Sequence, residues 1–411
     1  MIEKRFFILD TVEFILKTIV LFCFFYDFVT FYIPSPLFSS RKVGFVIVLT
    51  YFIFKRYSFR TFFVDKELKK IIFVTIICLL YGIILMMLTS GTGTSVIVWY
   101  VYFLVYSLIG AVLFAGFFDW DFEKLIKAIS IVTLAQAIWC ILTYYFDEIR
   151  LLNSTWFVID EEENIDFLAM QRLRSIGAAG AGLSVRLATS SMSFLYFILK
   201  RKNVLFNIVS LILTLFATFL AGSTGTFVIF VLISVTTYLL YKGSKYGLIP
   251  SLLIILSVLF FFKNTDSFFD EKQYDDLTYK MVSFYEEGSE SITVRALTEE
   301  QKVPDLSLET VVGTGLSRGK TITGERCYHD SGYVRNYFGI GLIMSVVFYI
   351  FLYTSMFRMA RKVASPIQIL LLFYIISCMI IEFKEPFIFA YISPFIFFTL
   401  VFAESSLFKQ Q

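Results

Sequence analysis

His329 is the only histidine in the 411-residue chain, and Asp330 follows it directly. An imidazole is the side chain best suited to exchange a proton near neutral pH. An adjacent carboxylate either orients it or acts as the base itself. The pair lies in a polar stretch, Ser291 to Gly341, that also carries Arg295, Arg318, Arg326, Arg335 and the turn Gly313-Thr314-Gly315. A second set of cations, Arg172, Arg174 and Arg186, flanks or follows the small-residue run Gly177 to Gly182. Guanidinium groups hold phosphate oxygens through paired, charge-assisted hydrogen bonds, and a glycine-rich run lets backbone approach a ligand or another helix closely.

Each of these residues also has a plainer reading. Arg172 and Arg174 suit interfacial snorkelling or contact with phospholipid headgroups. Arg186, expected inside an apolar helix, suits an ion pair with Asp166 or Glu382, because charge at membrane depth needs a partner or a wet cavity. Arg295 suits a bridge to Glu299 four residues on, worth only about 0.3–0.5 kcal/mol. The short turn Glu382-Phe383-Lys384-Glu385 is either simply solvated or closes one side of a cavity through Glu382 or Lys384. The sequence has no Walker loop, no HExxH, no CxxC pair and no trustworthy paired-carboxylate metal motif, so neither a metal nor a cofactor is expected.

The elements that must position these groups are apolar. Hydrophobic residues make up 58% of the chain, including 50 Phe and 24 Tyr, far beyond the composition of a soluble domain. A net charge of +3 is too small to suggest nucleic acid. The expectation is an all-α polytopic integral membrane protein, one transmembrane domain over 1–411 with about 12 transmembrane helices. They fall near Phe14 to Ile33, Val43 to Phe54, Ile71 to Thr89, Val96 to Phe118, Ile126 to Phe146, Ser184 to Leu199, Val204 to Leu220, Thr226 to Tyr241, Tyr246 to Phe262, Tyr337 to Phe357, Pro366 to Ile381 and Pro386 to Ala403.

Lysine and arginine collect at 4–5, 55–70, 124–127, 200–202, 242–245, 358–362 and 409, which sets both termini on the cytoplasmic side. Two longer loops, 147–183 and 263–336, then face outward, the second with a short amphipathic surface helix over Ile292 to Val303. The basic-then-apolar start lacks a small-residue cleavage site and is expected to be retained as the first helix. Cys327 is the one cysteine expected in a polar loop, so no disulfide framework is implied.

Taken in order, an arginine in the first long loop, Arg295 in the second, Gly313-Thr314-Gly315, His329-Asp330-Ser331-Gly332-Tyr333 and Gly339-Ile340-Gly341 entering a helix resemble the bacterial O-antigen and capsular polysaccharide polymerases of the Wzy type. These belong to one superfamily with O-antigen ligases. The tail EFKEPFIFAYISPF also looks like the penultimate turn of those polymerases. The likeness is confined to about Arg172 to Ala188 and Arg295 to Gly341. It departs at Ser223-Thr224-Gly225, where many relatives have Ser-Arg-x-Gly, so no arginine role carries over there.

The resemblance implies a GT-C-like, metal-independent, inverting glycosyltransferase in the bacterial cytoplasmic (inner) membrane, with its site facing outward. Its substrates would be undecaprenyl-pyrophosphate-linked oligosaccharides, as donor and as acceptor, joined into O-antigen or capsular polymer. On this reading Arg172, Arg174 and Arg295 hold the pyrophosphate, and His329 or Asp330 deprotonates the acceptor hydroxyl. Arg186, Arg318, Tyr328, Tyr333, Arg335, Glu382 and Lys384 line the cavity. Expected partners are membrane lipids, a chain-length regulator and a flippase, without nucleic acid. A ligase attaching finished polymer is the neighbouring reading. A flippase or other transporter is the reading from another class, set against which is the absence of an evident internal repeat.

Overall fold

The computed structural model describes residues 2–29, 38–57, 65–88, 95–157, 174–240, 303–321, 326–327, 329–364, 366–390 and 393–404. The expected run at Tyr246 to Phe262 and almost all of the expected surface helix at Ile292 to Val303 lie outside them.

The apolar runs form helices, as a chain in hydrocarbon must satisfy its backbone internally. In chain order the first are α1 (Ile2–Tyr26), α2 (Ser40–Phe54), α3 (Lys66–Leu88), α4 (Ser95–Phe117), α5 (Phe122–Tyr145) and α6 (Asp147–Trp156). A two-residue ladder, β1 (Arg174–Ser175) with β2 (Ala178–Ala179), leads into α7 (Gly180–Leu199), α8 (Val204–Ala221) and α9 (Ser223–Leu240). Then come α10 (Leu308–Val312), a second small ladder of β3 (Gly319–Lys320) with β4 (Arg326–Cys327), α11 (Gly332–Ile340), α12 (Leu342–Ala360), α13 (Ile367–Ile381), α14 (Phe387–Ala390) and α15 (Ser393–Glu404).

Among the described residues six helices are long and apolar enough to cross a membrane: α3, α4, α5, α7, α8 and α12. Shorter apolar helices occupy α13 and most of α9 and α15. α1 has the length, but Asp10, Glu13 and Lys17 interrupt its apolar run. The structure is therefore that of a multi-pass membrane protein, with six full-length apolar spans among the described residues against twelve expected runs over the whole chain. Several of those runs are helices of 12 to 18 residues.

α7 is the axis of the bundle, packed against α5, α8, α9 and α15. It is rich in hydroxyls, and four of the buried ones turn back to their own helix. Thr189 Oγ1 donates to the Val185 carbonyl, Ser190 to Arg186, Ser191 to Ala188 and Ser193 to Ser190. Backbone acceptors thus satisfy groups that hydrocarbon could not. Elsewhere packing holds the helices, since lipid supplies no hydrophobic drive between them. Phe24 of α1 sits with its ring centroid 4.6 Å from Phe114 and 4.8 Å from Phe395, and Tyr100 lies 5.1 Å from both Phe348 and Phe389. α4 widens to a π-helix over Phe103–Ile109, followed directly by Gly110. A side chain at Gly110 would come within 2.9 Å of the Phe24 ring.

Candidate functional site

The polar segments meet where α11 begins. Ser331 is its N-cap residue, but its hydroxyl does not cap the helix. That hydroxyl donates to the Glu382 carbonyl at 3.0 Å, and the Gly332 N–H donates to the same carbonyl at 2.9 Å. The Ser331 N–H donates to His329 Nδ1 at 2.9 Å. Nδ1 is therefore the acceptor, and the neutral ring carries its proton on Nε2. Burial pushes the His329 pKa below its ordinary value, with Asp330 partly offsetting this. His329 and Asp330 are both half-buried.

Glu382 stands in the turn beyond α13 and is fully buried at 0% exposure. Its Oε1 accepts the Tyr349 hydroxyl at 2.7 Å and its Oε2 accepts the Ile388 N–H at 2.9 Å. Burial pushes this carboxyl up to about 8, against the pull of the Tyr349 and backbone hydrogen bonds and of Arg335. The turn was read from sequence as solvated or as a cavity wall. For Glu382 the solvated reading is corrected: an apolar surround, supplied by α11, α12 and α14, closes over it. Lys384 is exposed, as a solvated turn requires.

The same turn reaches the start of α9. Thr224 Oγ1 donates to Glu385 Oε1 at 2.8 Å, and Lys384 Nζ lies 3.4 Å from Thr224 Oγ1. One step further, Ser184 Oγ of α7 donates to the Gly222 carbonyl at 2.6 Å and accepts the Gly225 N–H at 2.9 Å. Gly225 is the one residue type that fits, because a Cβ there would fall on the Ser184 backbone. A continuous chain of contacts thus joins the starts of α7, α9 and α11 to the Glu382–Glu385 turn.

Arg186, only 7% exposed, donates through Nη1 to the Tyr26 carbonyl at 3.0 Å. Its counter-charge is thus in part the C-terminal end of α1, where Glu382 was an expected partner and Asp166 lies outside the described residues. The hairpin before α7 docks on the same helix end. Gly177 lies so close to the Tyr26 and Asp27 carbonyls that a Cβ would collide with both, and Gln136 Nε2 donates to the Ile176 carbonyl at 2.9 Å. Arg41 of α2 is buried there too. It holds the Phe24 carbonyl through Nε at 3.2 Å and Asp27 Oδ2 through Nη1 at 2.8 Å.

Arg335 is half-buried with its guanidinium 4.8 Å above the Trp99 ring, and its Nε donates to the Ser317 carbonyl at 3.3 Å. Arg318 is exposed. Tyr333 does not present a free hydroxyl to a cavity, since it meets Tyr353 Oη at 3.2 Å and donates to the Met379 carbonyl at 3.1 Å. The Gly313-Thr314-Gly315 turn is tied to two helices: Gly313 N–H donates to the Glu309 carbonyl of α10, Thr314 N–H to the Phe338 carbonyl of α11 and Gly315 N–H to that of Gly339. Cys327 is buried and its thiol is free.

Arg172, Arg295 and Tyr328 lie outside the described residues, as does the side chain of Arg174, whose backbone forms β1. Sequence reasoning missed Thr224, Ser184 and Tyr349. A Ser-Thr-Gly turn between two apolar runs was the available signal for the first. Compared with protein-family models, with curated proteins and with solved structures, the chain matches none.

Proposed function

We propose that the chain is a polysaccharide polymerase, joining undecaprenyl-pyrophosphate-linked oligosaccharide repeat units on the outer face of the bacterial cytoplasmic membrane. The observation that carries this reading is the convergence just described. Polar groups from residues 184, 222–225, 329–332 and 382–385 gather at one end of a largely apolar bundle. Such an end suits a substrate with a lipid tail in hydrocarbon and a sugar head in water.

In the proposed step an acceptor hydroxyl oxygen bonds to the donor's anomeric carbon from the face opposite the leaving group. The anomeric C–O bond to pyrophosphate breaks, so the configuration inverts, and the pyrophosphate leaves on its lipid. Arg172, Arg174 and Arg295 neutralise the charge that develops on it. With Nδ1 engaged by Ser331, His329 serves as a donor through Nε2–H, and Asp330 takes the acceptor's proton.

The test is to incubate the purified protein with one lipid-linked repeat unit, with and without chelator. A ladder of products that persists in chelator and disappears in Arg295→Ala and Asp330→Asn is the expected result. Absence of a ladder from correctly inserted protein refutes the reading. In a deletion strain, unattached lipid-linked polymer would instead mark a ligase, and cytoplasmic accumulation of lipid-linked repeats a flippase.

A further inference from the structure

Among the described residues Glu382 is the one buried carboxyl group whose backbone and side chain both reach the histidine segment's surroundings, and the proposed reaction gives it no chemical step. Its carbonyl receives both Ser331 Oγ–H and Gly332 N–H. Ser331 in turn supplies the N–H that fixes His329 Nδ1. Its carboxyl group is clamped from two other elements, by Tyr349 of α12 and by the Ile388 N–H of α14. Gly332 lies directly against that group, leaving no room for a side chain. Three separate elements, α11, α12 and α14, therefore fix one residue, and that residue fixes the approach to His329.

We infer that Glu382 is a positioning residue: it locks Ser331 and Gly332 at the start of α11, and through Ser331 it sets the tautomer and orientation of His329. The effect on glycosyl transfer rests on the function proposed above, whereas the effect on His329 does not. Glu382 acts through shape and hydrogen bonds. A glutamine at this place can still accept the Ile388 N–H through its oxygen and donate to Tyr349 Oη through its amide, whereas alanine leaves both partners unmet. The titratable or charged groups around Glu382 are Tyr349 and Tyr353 of α12, Tyr333 and Arg335 of α11, Tyr100 of α4 and Cys378 of α13. Among the described residues Asp330 acts on His329.

A single histidine makes the test direct. The full chain, purified through a histidine-free tag and labelled with ¹⁵N-histidine, gives one imidazole to follow by NMR against pH. Wild type is expected to show the Nε2–H tautomer and to titrate below the ordinary imidazole value near 6.5. Glu382→Ala is expected to shift that titration up toward 6.5 and to mix the tautomers, and Glu382→Gln to restore the wild-type spectrum. Tyr349→Phe, which removes one clamp and keeps the ring, is expected to fall between wild type and Glu382→Ala. It also carries the test if the alanine variant does not fold.

Lys17→Met is the control for general destabilisation, breaking the 2.8 Å ion pair with Asp119 at the other end of the bundle; its His329 signal is expected to match wild type. In the transfer assay Glu382→Ala should lower kcat about 10- to 100-fold with KM unchanged, as a misplaced group does, with glutamine again restoring it. An unchanged His329 signal in folded Glu382→Ala or Tyr349→Phe overturns the inference, as does an equal change in Lys17→Met. Wild-type protein inert on every lipid-linked oligosaccharide, yet with the histidine responses as stated, overturns the proposed function and leaves the positioning role standing.

Discussion

Gly332→Ala tests the packing at the centre of the site. Gly332 has no positive φ, so alanine adds no backbone strain there. Its methyl group would fall on the Glu382 carboxyl and within 2.8 Å of Pro386 Cα. Overpacking of this kind costs about 1–3 kcal/mol. Displacing the carboxyl far enough to break one of its two buried hydrogen bonds adds about 1–3 kcal/mol. The expected loss is thus about 2–6 kcal/mol, read from unfolding in mixed micelles titrated with a denaturing detergent. Gly180→Ala is the comparison: nothing lies within 4 Å of the added Cβ, and only its left-handed backbone, φ 47°, is penalised, by about 1 kcal/mol. A Gly332→Ala loss no larger than that of Gly180→Ala would refute the close fit between Gly332 and Glu382.

Folding raises the Glu382 pKa from an ordinary 4.5 to about 8, so the folded protein binds the extra proton between those values. The stabilisation is present in full below about pH 4.5 and is lost as pH rises through about 8, on the order of a few kcal/mol. Glu382→Gln should flatten that part of a stability profile measured from pH 5 to 8.5. Buried Asn336 accepts the Tyr100 hydroxyl at 2.9 Å and donates to Ser345 at 3.1 Å. Asn336→Leu should therefore cost about 1–3 kcal/mol per stranded hydroxyl. Adding Tyr100→Phe should recover part of the loss, a coupling that a double-mutant cycle reads directly. Gly225→Ala drives a methyl group into the Ser184 backbone, and should abolish a monodisperse peak in detergent chromatography while Gly82→Ala, whose Cβ meets only ordinary contacts at 3.5 Å and beyond, keeps one.

The sequence by itself determined the class of the molecule. Fifty phenylalanines and long apolar runs leave a chain no other solvent than lipid, and composition is a local property that needs no partner to be read. It also located most helices, since the expected runs from Ile71 to Thr89 and Ile126 to Phe146 lie close to α3 and α5. Charge patterning pointed to the polar stretches in the same way, and Ser331 and Gly332 were legible as part of a motif.

What those residues do was decided by contacts across the chain. Arg186 meets a carbonyl 160 residues away and Thr224 a carboxylate 161 residues away, and nothing in the local sequence names either partner. Glu382 is the clearest case. A glutamate two residues before a lysine in a short turn reads as solvated. It becomes a buried group only because Gly332 lacks a side chain, Tyr349 points a hydroxyl inward and Ile388 offers an N–H from the following helix. The desolvation of a charge depends on every neighbour at once, so burial and its chemistry belong to the tertiary structure, whereas hydrophobicity belongs to each residue alone.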